Sequence, residues 1–272
     1  MAKSYEELEF TDNFMFVKIL SSRPDLCAEL LEMILQKKIS HLEPVTYENS
    51  FQPTYESKGI RLDVYVEDDE HTRYDVEMQV EPDINLAKRS RYYHSAMDME
   101  MLLKGSAYSD LKQSYVIFIC KNGVPGSMNR PVSTYKNICV ENPGEYLEDG
   151  TCTVFVNADS KGGETTAEMQ NFLEFIRTGK SYGSADSLTG RLHRAVTEAI
   201  RTGEWSVEYM WAELEMNKRY LKGKEEGRLE ERKNTEAERK RADEEQKRAD
   251  ELSAEVAKLK AELEALKEKA NP

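Results

Sequence analysis

Apolar positions over the N-terminal stretch recur at helical spacing, and turn signals cut them into two helices. Thr11 and Asp12 form a start signal for a helix over residues 14–20, and Ser22, Arg23 and Pro24 punctuate it. Pro24 suits the first turn of the next helix, where no N–H is needed. Leu26, Leu30, Leu31, Ile34 and Leu35 give that second helix its apolar face, and Pro44 and Pro53 mark irregular or edge structure after it. From Ile60 the period changes to two. Ile60, Leu62, Val64 and Val66 alternate with Arg61, Asp63, Tyr65 and Glu67; after the polar stretch EDDEHT, Tyr74, Val76, Met78 and Val80 alternate with Arg73, Asp75, Glu77, Gln79 and Glu81. Two such runs joined by a polar turn predict an antiparallel hairpin. A turn centred on Glu70 sets Asp63 opposite Glu77, and Pro82 ends the second strand.

A helix is predicted over residues 84–103, carrying Tyr92, Tyr93, Ala96, Met99 and Leu103. The continuous apolar run YVIFIC at 115–120 reads as a central strand. Further strands are expected at 134–140 and 151–156, and helices at 164–176, 188–200 and 205–220. The order helix, hairpin, helix, strand predicts a mixed α/β domain, a sheet flanked by helices.

The final segment breaks this pattern. Residues 224–272 are nearly all Glu, Lys, Arg and Ala, a composition that predicts a long solvated helix. Leu252, Val256, Leu259, Leu263 and Leu266 follow alternating steps of four and three, a heptad stripe predicting a short coiled coil over 249–266 and a parallel homodimer. Upstream the same register meets Ala249, Glu245, Ala242 and Glu238, which glue poorly. The predicted organisation is therefore a body over 1–223 and a helical tail over 224–272.

Charge and composition then exclude whole classes. Of 272 residues, 38 are Lys or Arg and 51 are Asp or Glu, a formal net charge of -13. The tail carries 13 basic and 15 acidic residues, so the body holds a net -11. That sign argues against non-specific coating of DNA but permits a local basic rim. No apolar run approaches the roughly 18 residues of a membrane span, so no membrane association is expected. The opening MAKSYEELEF has no apolar core, so no secretory signal is expected. Cys27, Cys120, Cys139 and Cys152 form no CxxC pair, which predicts a cytoplasmic protein with free thiols.

The candidate chemistry sits on the polar face of the hairpin. Asp63, Asp75, Glu77 and Glu81 share it, and like charges held close repel unless something positive sits among them. Mg²⁺ or Mn²⁺ is the natural partner, since hard divalent ions take carboxylate oxygens and retain water. Asp63 and Glu77 fit best as ligands, the Met78 carbonyl is a candidate third oxygen, and Asp75 is expected at the rim. Gln79, two residues on from Glu77, can orient a water but is no general base. The plainer alternative is a solvated acidic face. Arg61, Lys58 and Arg89 are candidates for contacting a phosphate, Arg89 having a salt bridge to the crowded acids as its alternative. Tyr93 stands four residues after Arg89 and is expected in the core. Asp12 is expected to cap the first helix.

These residues also carry a family likeness. GIRLDVYVEDDEHTRYDVEMQ resembles the core of the PD-(D/E)xK nuclease superfamily, in its Rpn-like branch of PD-(D/E)xK nuclease family transposases. TDNFMFVKIL resembles that branch's N-terminal helix, LAKRSRYYHSAMD the helix after its hairpin, and YVIFICKNGVPG its next strand and loop. The resemblance implies a restriction-endonuclease-like fold, Asp63 and Glu77 as first and second metal ligands, and a DNA endonuclease linked to recombination or mobile-element movement. Gln79 falls where the superfamily most often has Lys. Arg89 and Tyr93 resemble the Q-x-x-x-Y element of RecB-like relatives, with Arg for Gln. The resemblance also implies an acid from the N-terminal helices completing the metal site, for which Glu29 and Glu32 are the candidates. The competing expectation is a catalytically inactive nuclease fold that binds DNA or protein and dimerises through its tail.

Overall fold

The computed structural model describes residues 3–44, 50–51, 59–102, 104–124 and 129–270. Helices α1 (Asn13–Ser22) and α2 (Pro24–Leu35) lead into strands β1 (Leu42–Pro44), β2 (Ser50–Phe51), β3 (Ile60–Arg61), β4 (Val64–Asp68) and β5 (Arg73–Gln79). Then come α3 (Leu86–Met101), β6 (Ser114–Cys120), β7 (Val132–Tyr135), β8 (Thr151–Asn157), α4 (Ala167–Thr178), α5 (Leu188–Thr202) and α6 (Ser206–Ala270). Six strands form one mixed sheet in the order β1-β4-β5-β6-β8-β7, while β2 and β3 pair separately. β5, β6 and β8 run parallel, which puts Gln79, Cys120 and Asn157 side by side at their carboxyl ends. The expected mixed α/β sheet flanked by helices is the fold observed.

Sequence pattern explains both faces. β6 is buried at all seven positions because it is central and covered on both sides. Val64, Val76, Ile117 and Val154 pack with Phe16, Leu30, Phe172 and Leu192 in the main core, under α1, α2, α4 and α5. Tyr65, Val116, Phe118 and Phe155 face the other way and pack with Leu86, Tyr93, Ala96 and Met97 of α3. One helix thus roofs the face that carries the candidate acids. His94 of α3 is also buried there, bonded to Ser114 at 2.8 Å and Thr153 at 3.2 Å. Burial lowers its pKa to about 4, so it is neutral.

Several expectations need correction. The first hairpin run is two strands, not one: β3 pairs with β2, and β4 starts only at Val64. The break has a cause, because the Asp63 N–H is used on the Glu77 carboxylate at 3.1 Å rather than on a ladder carbonyl. The strand expected at 134–140 ends at Tyr135, with Ile138 making only an isolated bridge to Tyr146. Asp12 occupies the N-cap of α1 without capping it; its carboxylate takes the Glu9 N–H at 2.7 Å and Lys3 at 2.8 Å.

Contacts divide the chain between Tyr209 and Met210. The first unit holds the sheet and its helices; the second is the rest of α6. The helix expected at 205–220 and the tail helix are one element that runs through Gly223 and Gly227 without interruption.

Candidate active site

Strand β5, the residue just before β4 and helices α1 and α3 build the candidate site. β4 and β5 pair with Val64 opposite Val76 and Tyr65 opposite Asp75, which sets Asp63 across from Glu77 as the turn arithmetic expects. Asp75, Glu77 and Gln79 share the face of β5 that α3 covers, since strand side chains alternate. Glu77 is 4% exposed and Asp75 is wholly buried. Asp75 is therefore interior, not at the rim, because α3 roofs this part of the hairpin.

Both carboxylate oxygens of Glu77 are engaged. Its Oε1 accepts the Asp63 N–H at 3.1 Å, and its Oε2 pairs with Arg89 at 2.9 Å. Arg89 also donates to the Gln79 Oε1 at 2.8 Å and to the Tyr93 hydroxyl at 3.0 Å, and it pairs with Asp83 at 3.4 Å. Gln79 donates its amide to the Glu81 carbonyl. Arg89 thus forms the salt bridge that was its alternative to a phosphate. Tyr93 is buried as expected, yet its hydroxyl belongs to the site.

Asp63 is held from two elements. The Asn13 side chain at the start of α1 and the Met78 N–H both donate to its carboxylate. The Gln79 carbonyl points toward β6, where it accepts the Lys121 N–H at 2.9 Å. Backbone groups alternate sides along a strand, so the Met78 carbonyl points the other way, to the β4 side of β5. The Met78 side chain itself lies in the main core.

The electrostatics report an excess of negative charge. Burial and the Asp63 charge raise the Glu77 pKa to about 8 against the pull of Arg89. Burial lifts Asp63 as well, opposed by the Asn13 and Met78 hydrogen bonds. Asp75 is pushed well above the carboxylate range by burial and by its two acidic neighbours. Neither Asp75 oxygen receives a bond from a described N–H or hydroxyl.

A family model described as PD-(D/E)XK nuclease family transposase matches residues 10–226. The chain belongs to that family. No curated protein and no solved structure matches it. As a PD-(D/E)XK nuclease family transposase it has a nuclease- or transposase-like function, and nucleases of this kind generally use divalent metal ions.

The residues present suit such an ion. A buried carboxylate without a donor and two more with raised pKa values are what a missing positive charge produces. Among the described residues, no three His, Cys, Asp or Glu side chains converge to hold a metal. The available donors are Asp63, Glu77 and the Met78 carbonyl, a set that leaves positions for water. Glu29 and Glu32 of α2 do not join this nuclease-fold site. Glu29 pairs with Arg191, and Glu32 pairs with Lys38 and accepts the Ile39 N–H, both at 2.9 Å. Asn13 reaches Asp63 instead, a contact hidden in the sequence because Thr11-Asp12-Asn13 reads as a helix start. Arg61 is exposed and close enough to Asp63 to lower its pKa, and Lys58 lies outside the described residues.

Proposed function

We propose that this family member is a metal-dependent DNA endonuclease whose setting is recombination or mobile-element movement. The observation that carries the reading is the meeting of Asp63 and Glu77 beside an unpartnered, fully buried Asp75. Asp63, Glu77 and the Met78 carbonyl would hold Mg²⁺ or Mn²⁺. When bound, the ion supplies a lowered water pKa and neutralisation of developing phosphate charge. Gln79 orients a water by hydrogen bonding and takes no proton. Arg61, exposed next to Asp63, and Arg89 offer positive charge to a phosphate in an otherwise acidic body. Tyr93 orients Arg89. The protein acts in the cytoplasm, and its C-terminal helix joins two copies. Among the described residues no helix is long and apolar enough to cross a membrane.

A second reading is favoured by one contact. Arg89 already neutralises Glu77 and ties Gln79, as in a nuclease fold that binds without cutting. Plasmid cleavage with Mg²⁺ or Mn²⁺ separates the two. The wild type is expected to nick or linearise DNA, and Asp63→Asn and Glu77→Gln to lose at least about a hundredfold in rate while staying folded. A wild type that binds DNA but cuts no substrate with either ion establishes the second reading.

A further inference from the structure

The two apolar blocks of α6 share one seven-residue frame. Counting back from Leu252 by threes and fours, the frame crosses a polar stretch that includes Glu245, Glu238, Glu231, Arg228 and Lys224 and lands on Leu221, Leu214 and Met210, with Asn217 the one polar residue among these last positions. Because the helix is unbroken between them, the frame is kept, and the left-handed supercoil that a seven-residue repeat imposes brings both blocks onto one seam. Their apolar side chains are all 45–65% exposed. We infer that a second copy of this chain packs along the whole stripe antiparallel, with Leu221 against the partner's Leu252. This rests on the self-association proposed above and adds orientation and register; it is independent of whether the body cuts DNA.

Charge decides the orientation. In the antiparallel pairing Leu214 meets the partner's Leu259, Met210 meets the partner's Leu263, and Arg228 meets the partner's Glu245. The remaining seam charges, Lys224, Glu231 and Glu238, face the partner's Ala249, the partner's Ala242 and the partner's Thr235, and Asn217 faces the partner's Val256. A parallel coil instead sets Lys224, Arg228, Glu231, Glu238 and Glu245 each against its own copy, five like-charge layers in the seam. Rim pairs such as Glu213 with Lys218 favour the parallel form, but they stay in water and weigh less than charges in the seam. Sliding by one heptad is also penalised: Leu221 then meets the partner's Glu245, or Arg228 meets the partner's Leu252. The expectation of a parallel dimer came from the last block alone.

The test uses the full chain carrying Cys139→Ser, since Cys27, Cys120 and Cys152 are buried. Sedimentation is expected to give the mass of two chains. On mild oxidation, the double variant Leu214→Cys/Leu259→Cys is expected to form a disulfide-linked dimer, while neither single variant does. Single variants that link to themselves overturn the orientation and leave the dimer standing. A one-chain mass overturns both. Arg228→Glu and Glu245→Arg are each expected to weaken the dimer Kd by roughly tenfold or more, and the double swap to restore it. A double swap no better than the singles overturns the register.

Discussion

Arg89 holds more of the site together than any other side chain. It binds Glu77, Gln79, Asp83 and Tyr93, and its guanidinium lies 5.3 Å from the Phe118 ring centre. Removing it leaves Glu77 buried without a cation. Arg89→Gln is therefore expected to cost about 2–4 kcal/mol in denaturant unfolding. Protonation adds two opposing limbs. Glu77 has a folded pKa of about 8 above an ordinary carboxyl near 4.5, so metal-free stability falls as pH rises through that window. His94 has a folded pKa of about 4 below 6.5, so stability falls as pH drops through that one. Asp63 and Asp75, raised in the same way, steepen the alkaline limb, so the thermal midpoint of the metal-free protein is expected to fall as pH rises above about 5. Glu77→Gln should flatten the alkaline limb and leave the acid limb; scanning calorimetry across pH reads both. The pairing of Asp63 with Glu77 was legible because strand alternation and turn length fix it. The depth of Asp75 was not, because a two-residue period cannot say which face a later helix will cover.

At the scale of elements, the sequence located most strands and helices through period alone. It failed where a side chain overrides the backbone ladder. Nothing in Leu62-Asp63 announces a strand break; only the Glu77 carboxylate, fourteen residues on, takes the N–H that the ladder would have used. It also failed at the glycines of the helices. Gly223 reads as the boundary between body and tail, yet α6 continues through it and through Gly227, and a side chain at either would meet open space. Gly190 in the first turn of α5 is different: an added Cβ would lie 2.5 Å from the Ser184 carbonyl. Gly223→Ala is expected to raise helix stability by about 1 kcal/mol, and Gly190→Ala to lower the stability of the body by more than about 1 kcal/mol. Thermal melts of the two single variants, followed by circular dichroism, check both signs.

For the whole molecule, acidity and shared charge carry different messages in the two units. The body's surplus of acid concentrates partly in a buried seam between hairpin and α3, where Arg73 pairs with Glu67 at 2.8 Å and Glu100 at 3.3 Å at one end and Arg89 with Glu77 at the other. The tail's near balance of charge instead suits a solvated helix. The four sequence segments that resembled the family's core lay far apart in the chain, and the fold gathers three of them around Asp63: the start of α1, the hairpin and α3. The carboxyl ends of β5, β6 and β8 stand in one row, so the segments that leave them emerge on the edge that bears Glu77 and Gln79. Exchange of those connections would change what reaches the acids while the layered interior stays as it is. Related chains can in this way diverge in what they bind without repacking a single core residue.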